Sequence, residues 1–336
     1  MTAPDAARPR WPAEWEPHRA TWLGWPHNPD TWPGHLEDAR DEYVEILRAL
    51  QGREAIELVV PDEATADDVR HRLRRAGADP EKGIRFHPIP TNDVWFRDTA
   101  PVFVDRGGVL HAVDFDFNAW GGKYPPWELD AALATKVAAI TGAASESPGF
   151  VLEGGSLEGD GAGTLLTTEQ CLLHPNREAG RDRAMMEARL GEWLGAERVV
   201  WLPGGIAGDD TDGHIDDVCR FVAPGVVVAA SAQAGADQSV LEHNRRRLAE
   251  AGLEIHDLPM PPSHRVDGEG CPASYANFYL ANGVVLVPTF GASSDARALA
   301  VLSDLLPDRE VLGIPCRWLI QGLGAIHCLT QQEPAL

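Results

Sequence analysis

The order of signals along this sequence predicts an α/β fold: five hairpin–helix–strand units in a ring, closed by strands from the two chain ends. Three observations carry it. Hairpin signals recur at glycine-bearing turns spaced about 55 to 65 residues apart, a period that asks for a repeat. A helical-period segment and a short strand follow each hairpin. Half a hairpin is then left over at each terminus. Nothing breaks the series, so residues 1–336 are expected to form one domain, and no glycine-rich phosphate turn supports an open doubly wound sheet instead.

In chain order, Ala20 to Trp25 reads as a strand, Asp38 to Leu50 as a helix and Ala55 to Val60 as the strand after it. An extra helix, Ala64 to Ala76, decorates this unit. Pro101 to Asp105 turns through Arg106-Gly107-Gly108 into Val109 to Phe117. Ser156 to Glu158 turns through Gly159-Asp160-Gly161 into Thr164 to Leu173. Val218 to Ala223 turns at Pro224-Gly225 into Val226 to Ser231. Tyr275 to Leu280 turns at Asn282-Gly283, a strong short hairpin signal, into Val284 to Pro288. The helices Glu128 to Ile140, Asp182 to Leu194, Gln238 to Ala251 and Ser294 to Leu306 repeat apolar residues at three- and four-residue steps. Clear strands follow the last three, at Arg198 to Leu202, Glu254 to Leu258 and Glu310 to Ile314. The fifth hairpin is assembled from Ile326 to Gln331 and Ala20 to Trp25.

Composition narrows the function classes. A chain that is 44% hydrophobic can bury a substantial core. Its longest apolar run, around Val226 to Ala230, falls far short of the ~18 residues of a membrane helix, so no membrane partner is expected. The opening residues, MTAPDAARPRWPAEW, lack a signal peptide's apolar core, which predicts a cytoplasmic protein. Five cysteines without a close Cys-x-x-Cys pair argue against a disulfide framework and a zinc knuckle. The net charge of -22 speaks against nucleic acid and suits a small cationic ligand. Oligomeric state is left open, a homo-oligomer included.

Candidate chemistry emerges when the units are aligned just before their turns. Asp98 stands there in the first, Glu153 in the second, His214 and Asp216 in the third, Asn277 in the fourth and Cys328 in the split fifth. A ring brings equivalent positions to one end of its axis. Taken singly, an aspartate can cap a turn and a histidine can sit hydrogen-bonded in a core; together at matching positions they predict a shared site. A thiolate attacks electrophilic carbon, and a histidine moves protons to a leaving group and from water. Carboxylates raise a thiol's pKa unless the substrate brings positive charge, and they match the fixed donor fork of a guanidinium. The set therefore points to a guanidine substrate.

These residues lie in motifs that run along nearly the whole chain: Pro12-Ala-Glu-Trp-Glu-Pro-His18, Asn92-Asp-Val-Trp-Phe-Arg-Asp98, Phe117-Asn-Ala-Trp-Gly-Gly122, Glu153-Gly-Gly-Ser156, Gly213-His-Ile-Asp216, Ala273-Ser-Tyr-Ala-Asn-Phe-Tyr279 and Ile326-His-Cys-Leu-Thr-Gln-Gln332. With them the sequence resembles the agmatine deiminase branch of the pentein (α/β-propeller) guanidino-modifying enzymes. The resemblance implies hydrolysis of agmatine to N-carbamoylputrescine and ammonia in putrescine biosynthesis, without metal or other cofactor. It implies Cys328 as nucleophile, His214 as general acid and base, and Glu153 as the group orienting His214 and touching the guanidinium. Asp98 and Asp216 would hold the guanidinium nitrogens, Trp95 and Trp120 would wall the aliphatic part, and Asp210, with Asp212, would face a distal ammonium. Three positions depart from the usual pattern: Leu323 and Ala325 stand where Gly and Asn are common, and Glu158 where His is. They are expected near the substrate's tail or the approach to the thiol. Bacterial-type peptidylarginine deiminases share the framework and are the alternative activity; a propeller that only binds a cationic ligand is the non-enzymatic one.

Overall fold

The computed structural model describes residues 8–336. Residues 1–7, part of the segment used for the localisation expectation, lie outside the described residues. Five sheets obey one pairing rule: a middle strand runs antiparallel to the strand before it and parallel to the strand after the helix. Leu110–Val113 pairs in this way with Val102–Asp105 and Ala144–Glu146. Thr164–Thr168 does so with Leu157–Gly159 and Arg198–Leu202. Val226–Ser231 joins Cys219–Ala223 to Glu254–Pro259, and Val284–Thr289 joins Tyr279–Ala281 to Glu310–Pro315. The fifth sheet is built from both ends, with His18–Gly24 antiparallel to Thr330–Pro334 and parallel to Ala55–Val60.

Amphipathic helices cover these sheets. Leu36–Leu50 buries Ala39, Tyr43, Ile46, Leu47 and Leu50 on one face, and its apolar cluster continues into Val284 to Val287 and Leu319. Glu63–Arg75 starts at Asp62, whose side chain accepts a hydrogen bond from the Thr65 amide. The expected helix Glu128 to Ile140 is two pieces, Glu128–Ala131 and Leu133–Thr141, because the Asp130 carboxylate turns back to accept the Asn92 and Asp93 amides.

Other differences have local causes. Ile326 to Gln331 does not form a single strand. Ile326–Leu329 is one helical turn and the strand begins at Thr330, whose hydroxyl donates to the carbonyls of Ile326 and His327. Tyr275 to Asn277 is a turn, with the strand starting only at Tyr279. Ile84–Pro88 adds a fourth strand to the terminal sheet, and His264–Val266 with Glu269–Cys271 forms a separate hairpin.

Apolar clusters are not the whole interior. Glu14 is buried and accepts from Arg220, Arg97 and the Leu280 amide at 2.8, 3.2 and 2.8 Å, and it also meets the His327 ring. Arg220 is buried too and donates to Glu158 at 2.8 Å and to the carbonyls of Ala276 and Phe278. Strands of three sheets, with turns beside them, thus meet on paired charges, an arrangement that tolerates burial only when each charge keeps its partner.

Candidate active site

Asp98, Glu153, His214, Asp216 and Cys328 each sit at a tight turn that leads into a strand. Asp98 lies on the single turn Phe96–Thr99, accepting the Gly155 amide at 2.9 Å and the Trp120 indole N–H at 3.0 Å. Glu153 precedes the 3-10 turn Gly154–Ser156, and His214 precedes Ile215–Asp217, which carries Asp216. The His214 amide is tied to Asp209 and Thr211 at 3.0 and 3.1 Å. Gly155 is where these turns converge: a Cβ there would stand 2.6 Å from His214 Nδ1, 3.0 Å from Asp98 and 3.2 Å from Asp216.

Cys328 Sγ receives the Asn277 amide hydrogen at 3.0 Å, and the thiol donates to Asp216 Oδ2 at 3.6 Å. Asn277 Oδ1 in turn accepts the Cys328 amide. Burial pushes the Cys328 thiol's pKa well up; Asp216, Asp217 and Asp98 push it further, against the Asn277 hydrogen bond. For His214, burial favours the neutral ring. Asp98, the Cys171 sulfur and Asp216 overcome it and carry its pKa well above the ordinary value. Burial likewise raises Asp98, partly countered by His214, whereas His327 and His214 hold Asp216 below its usual range despite burial. Three buried polar atoms in this cluster have no partner among the described residues: Glu153 Oε2, His214 Nε2 and Asp216 Oδ1. Unpaired buried polar atoms are costly, and a bound polar group would complete them.

A cavity of about 710 Å³ opens onto this cluster, lined among others by Trp95, Asp98, Trp120, Asp210, Leu323 and Cys328. Glu153, His214 and Asp216 lie beyond the lining, completely or almost completely buried. Trp95 packs against Gly322 and Gly324, where a Cβ would approach its ring to 2.9 and 2.5 Å. Asp210 is at the exposed lip, hydrogen-bonded by the Tyr124 hydroxyl and 3.6 Å from Lys123. Asp212 does not face the cavity as a free acid: Arg177, Lys123 and Asn176 hold its carboxylate.

Among the described residues the one grouping of metal-type ligands is Glu153, Cys171 and His214, with ligand atoms within 4.8 Å of one another. The buried Arg177 guanidinium already binds Glu153 Oε1 at 2.9 Å.

Residues 10–334 match the family model for Porphyromonas-type peptidyl-arginine deiminase. The chain belongs to that family. Agmatine deiminase from Ectopseudomonas mendocina is 37% identical, over 99% of this chain and 98% of that protein. The structure of Enterococcus faecalis agmatine deiminase superimposes with a TM-score of 0.90 at 32% identity, covering 99% of each chain. DDAH from Pseudomonas aeruginosa, at 14% identity and a TM-score of 0.52 over 94% of this chain and 99% of that one, shares the fold alone.

The three departures from the family pattern separate on the structure. Leu323 lines the cavity with φ 69°, a left-handed conformation that favours glycine, and Ala325 is buried two residues on. Glu158 does not line the cavity; it is buried against Arg220 and the Phe221 amide. Sequence reasoning missed Arg177 and Glu14, and it gave no role to Cys171, whose thiol sits beside His214. Expected to orient His214, Glu153 lies near it without a hydrogen bond between them and is held by Arg177.

Proposed function

We propose that this protein hydrolyses the guanidinium of agmatine to N-carbamoylputrescine and ammonia. The observation that carries the reading is the set of unpartnered atoms, Glu153 Oε2, His214 Nε2 and Asp216 Oδ1, buried together beside a thiol surrounded by carboxylates. A planar cation offering several N–H donors completes the two carboxylate oxygens, while the protonated His214 Nε2 is left to donate toward the leaving nitrogen, and the cation's charge offsets the carboxylates that hold Cys328 protonated.

In this mechanism Asp98 and Asp216 grip the guanidinium nitrogens, with Glu153 accepting from the same group. The charge of the bound substrate drives the Cys328 thiol proton out to solvent, and the resulting thiolate adds to the guanidinium carbon. His214, held protonated by its acidic neighbours, gives its proton to one nitrogen; the carbon–nitrogen bond breaks and ammonia leaves. The now neutral His214 takes a proton from water, the hydroxide adds to the amidino carbon, and the carbon–sulfur bond breaks to release the ureido product and the thiolate. Trp95 and Trp120 wall the methylene chain and Asp210 faces the outer ammonium. The same reading takes the five sheets as blades of one closed propeller in a single domain, in a cytoplasmic protein supplying putrescine synthesis.

A cavity of about 710 Å³ is roomier than so short a substrate fills, which favours arginine in a peptide as the second reading. Purified protein offered agmatine, arginine and an arginine peptide, with ammonia and ureido product measured, separates them. Turnover of agmatine is expected, with Cys328→Ser lowering kcat by at least about 10⁴-fold while agmatine still binds. Turnover of the peptide alone would move the substrate, and no turnover of any guanidine would leave a cation-binding protein.

A further inference from the structure

His327 stands next to the thiol in sequence, yet it is not free to exchange protons with substrate. Its Nδ1 lies 2.7 Å from Asp216 Oδ2 and its Nε2 lies 2.8 Å from Glu14 Oε2. The ring is almost completely buried, as are both carboxylates. An ionised carboxylate only accepts, so with both acids ionised each ring nitrogen has to donate, and the ring then carries positive charge. Glu14 is itself anchored by Arg220, Arg97 and the Leu280 amide. A continuous chain of charged hydrogen bonds therefore runs from the N-terminal segment through His327 to Asp216. It occupies Oδ2 of that acid and leaves Oδ1 without a partner.

We propose that His327 is a positioning residue: with Glu14 behind it, it fixes the Asp216 carboxylate so that Oδ1 is presented, ionised, to the guanidinium. The proposal rests on the deiminase reading above and adds a residue to it. Asp216 is faced by His327 and Cys328 from the terminal turn, by Asp98, by His214 and Asp217 on its own turn, and by Arg220 from the strand that follows. His327 and Arg220 are therefore the donors standing against several acids, alongside His214. Of these, only His327 forms a hydrogen bond to Asp216 among the described residues. Its hydrogen bond is the largest of the influences that hold Asp216 below the usual carboxylate range against burial.

Two substitutions divide the ring's functions. An asparagine amide nitrogen falls where Nδ1 is and can still donate to Asp216, whereas a glutamine amide reaches the Nε2 position and faces Glu14. His327→Gln is expected to lower kcat/KM for agmatine at least about tenfold, mainly through KM, because a charged hydrogen bond to the substrate's anchor is lost. The acid limb of its kcat/KM profile should move to higher pH: Asp216 loses the bond that lowered its pKa, so it takes up a proton earlier as pH falls. His327→Asn should recover most of the affinity. Thermal melts run beside the kinetics. Equal activity of both variants with wild type, equal losses in both, or a loss in His327→Gln with an unmoved acid limb would overturn the proposal. Failure of both variants to fold would assign His327 to the fold alone and overturn it too. Wild-type protein turning over no agmatine would instead refute the functional reading on which the comparison depends.

Discussion

At the scale of single residues, Gly155 shows how little room the site leaves. Its φ lies outside the left-handed region, so alanine would suit the backbone. What forbids a methyl group is the company: His214 Nδ1, Asp98 and Asp216 all within 3.2 Å of where the Cβ would be. Gly155→Ala should therefore fold near-normally and lose at least about a hundredfold in kcat/KM, the size of effect that an ångström-scale displacement of reacting groups produces. Steady-state rates beside a thermal melt check this, and an active Gly155→Ala would mean that the three polar groups need not meet there. Asp98, Glu153, His214, Asp216 and Cys328 were legible in the sequence because each stands at the same place in a repeating pattern. Arg177 and Glu14 follow no such pattern. Arg177 sits in a loop and finds Glu153, 24 residues away, only through the tertiary fold, and Glu14 meets Arg220 across 206 residues.

At the scale of elements, the long helices were readable to within a residue or two because a buried stripe imposes its period, as in Leu36–Leu50, with Glu128 to Ile140, broken at Ala132, the exception. Strands were read less well. Tyr275 to Asn277 has strand-like composition, but the Tyr275 hydroxyl pairs with Ser294 and Asp295 and the Asn277 side chain must turn toward Cys328. Side-chain hydrogen bonding across the molecule overrides local preference there. The same kind of contact ties Leu36–Leu50 to the active site. Glu42 is buried on that helix and accepts the amides of Arg317, Trp318 and Leu319, each at 2.9 Å, fixing the start of the segment that brings Gly322 and Gly324 against Trp95. Glu42→Ala would leave three amides without their acceptor, and a loss of about 3 kcal/mol is expected from the unmet hydrogen bonds to a charged group. Urea unfolding with an unchanged slope and a lower midpoint would register it. A midpoint within error of wild type would show that the turn holds itself.

At the scale of the whole molecule, the sequence called for the two chain ends to share a sheet, and they do, in a register that runs from His18 opposite Pro334 to Leu23 opposite Thr330. The expected strand Ile326 to Gln331 is displaced to Thr330–Pro334, since Cys328 needs a helical turn to face Asn277 and Asp216. Thr330–Pro334 is buried throughout and anchors more than its neighbour strand: Gln332 accepts from the buried Arg97 at 2.8 Å, Glu333 accepts the Trp22 indole N–H at 3.0 Å, and Gln331 donates to the Pro101 carbonyl at 2.8 Å. A chain ending after Leu329 keeps the thiol but exposes the edge of His18–Gly24, with a buried cation and an indole each short of a partner. It should aggregate or lose its cooperative melt, whereas full-length Cys328→Ser, which removes only the thiol, should melt like wild type. Truncation tolerance depends on the burial and hydrogen bonding of the backbone removed, and here both are nearly complete. A soluble chain ending at Leu329 with a melting temperature within about 3 °C of full length would mean that the terminal strand is decoration, because losing a few kcal/mol shifts a domain of this size by more than that.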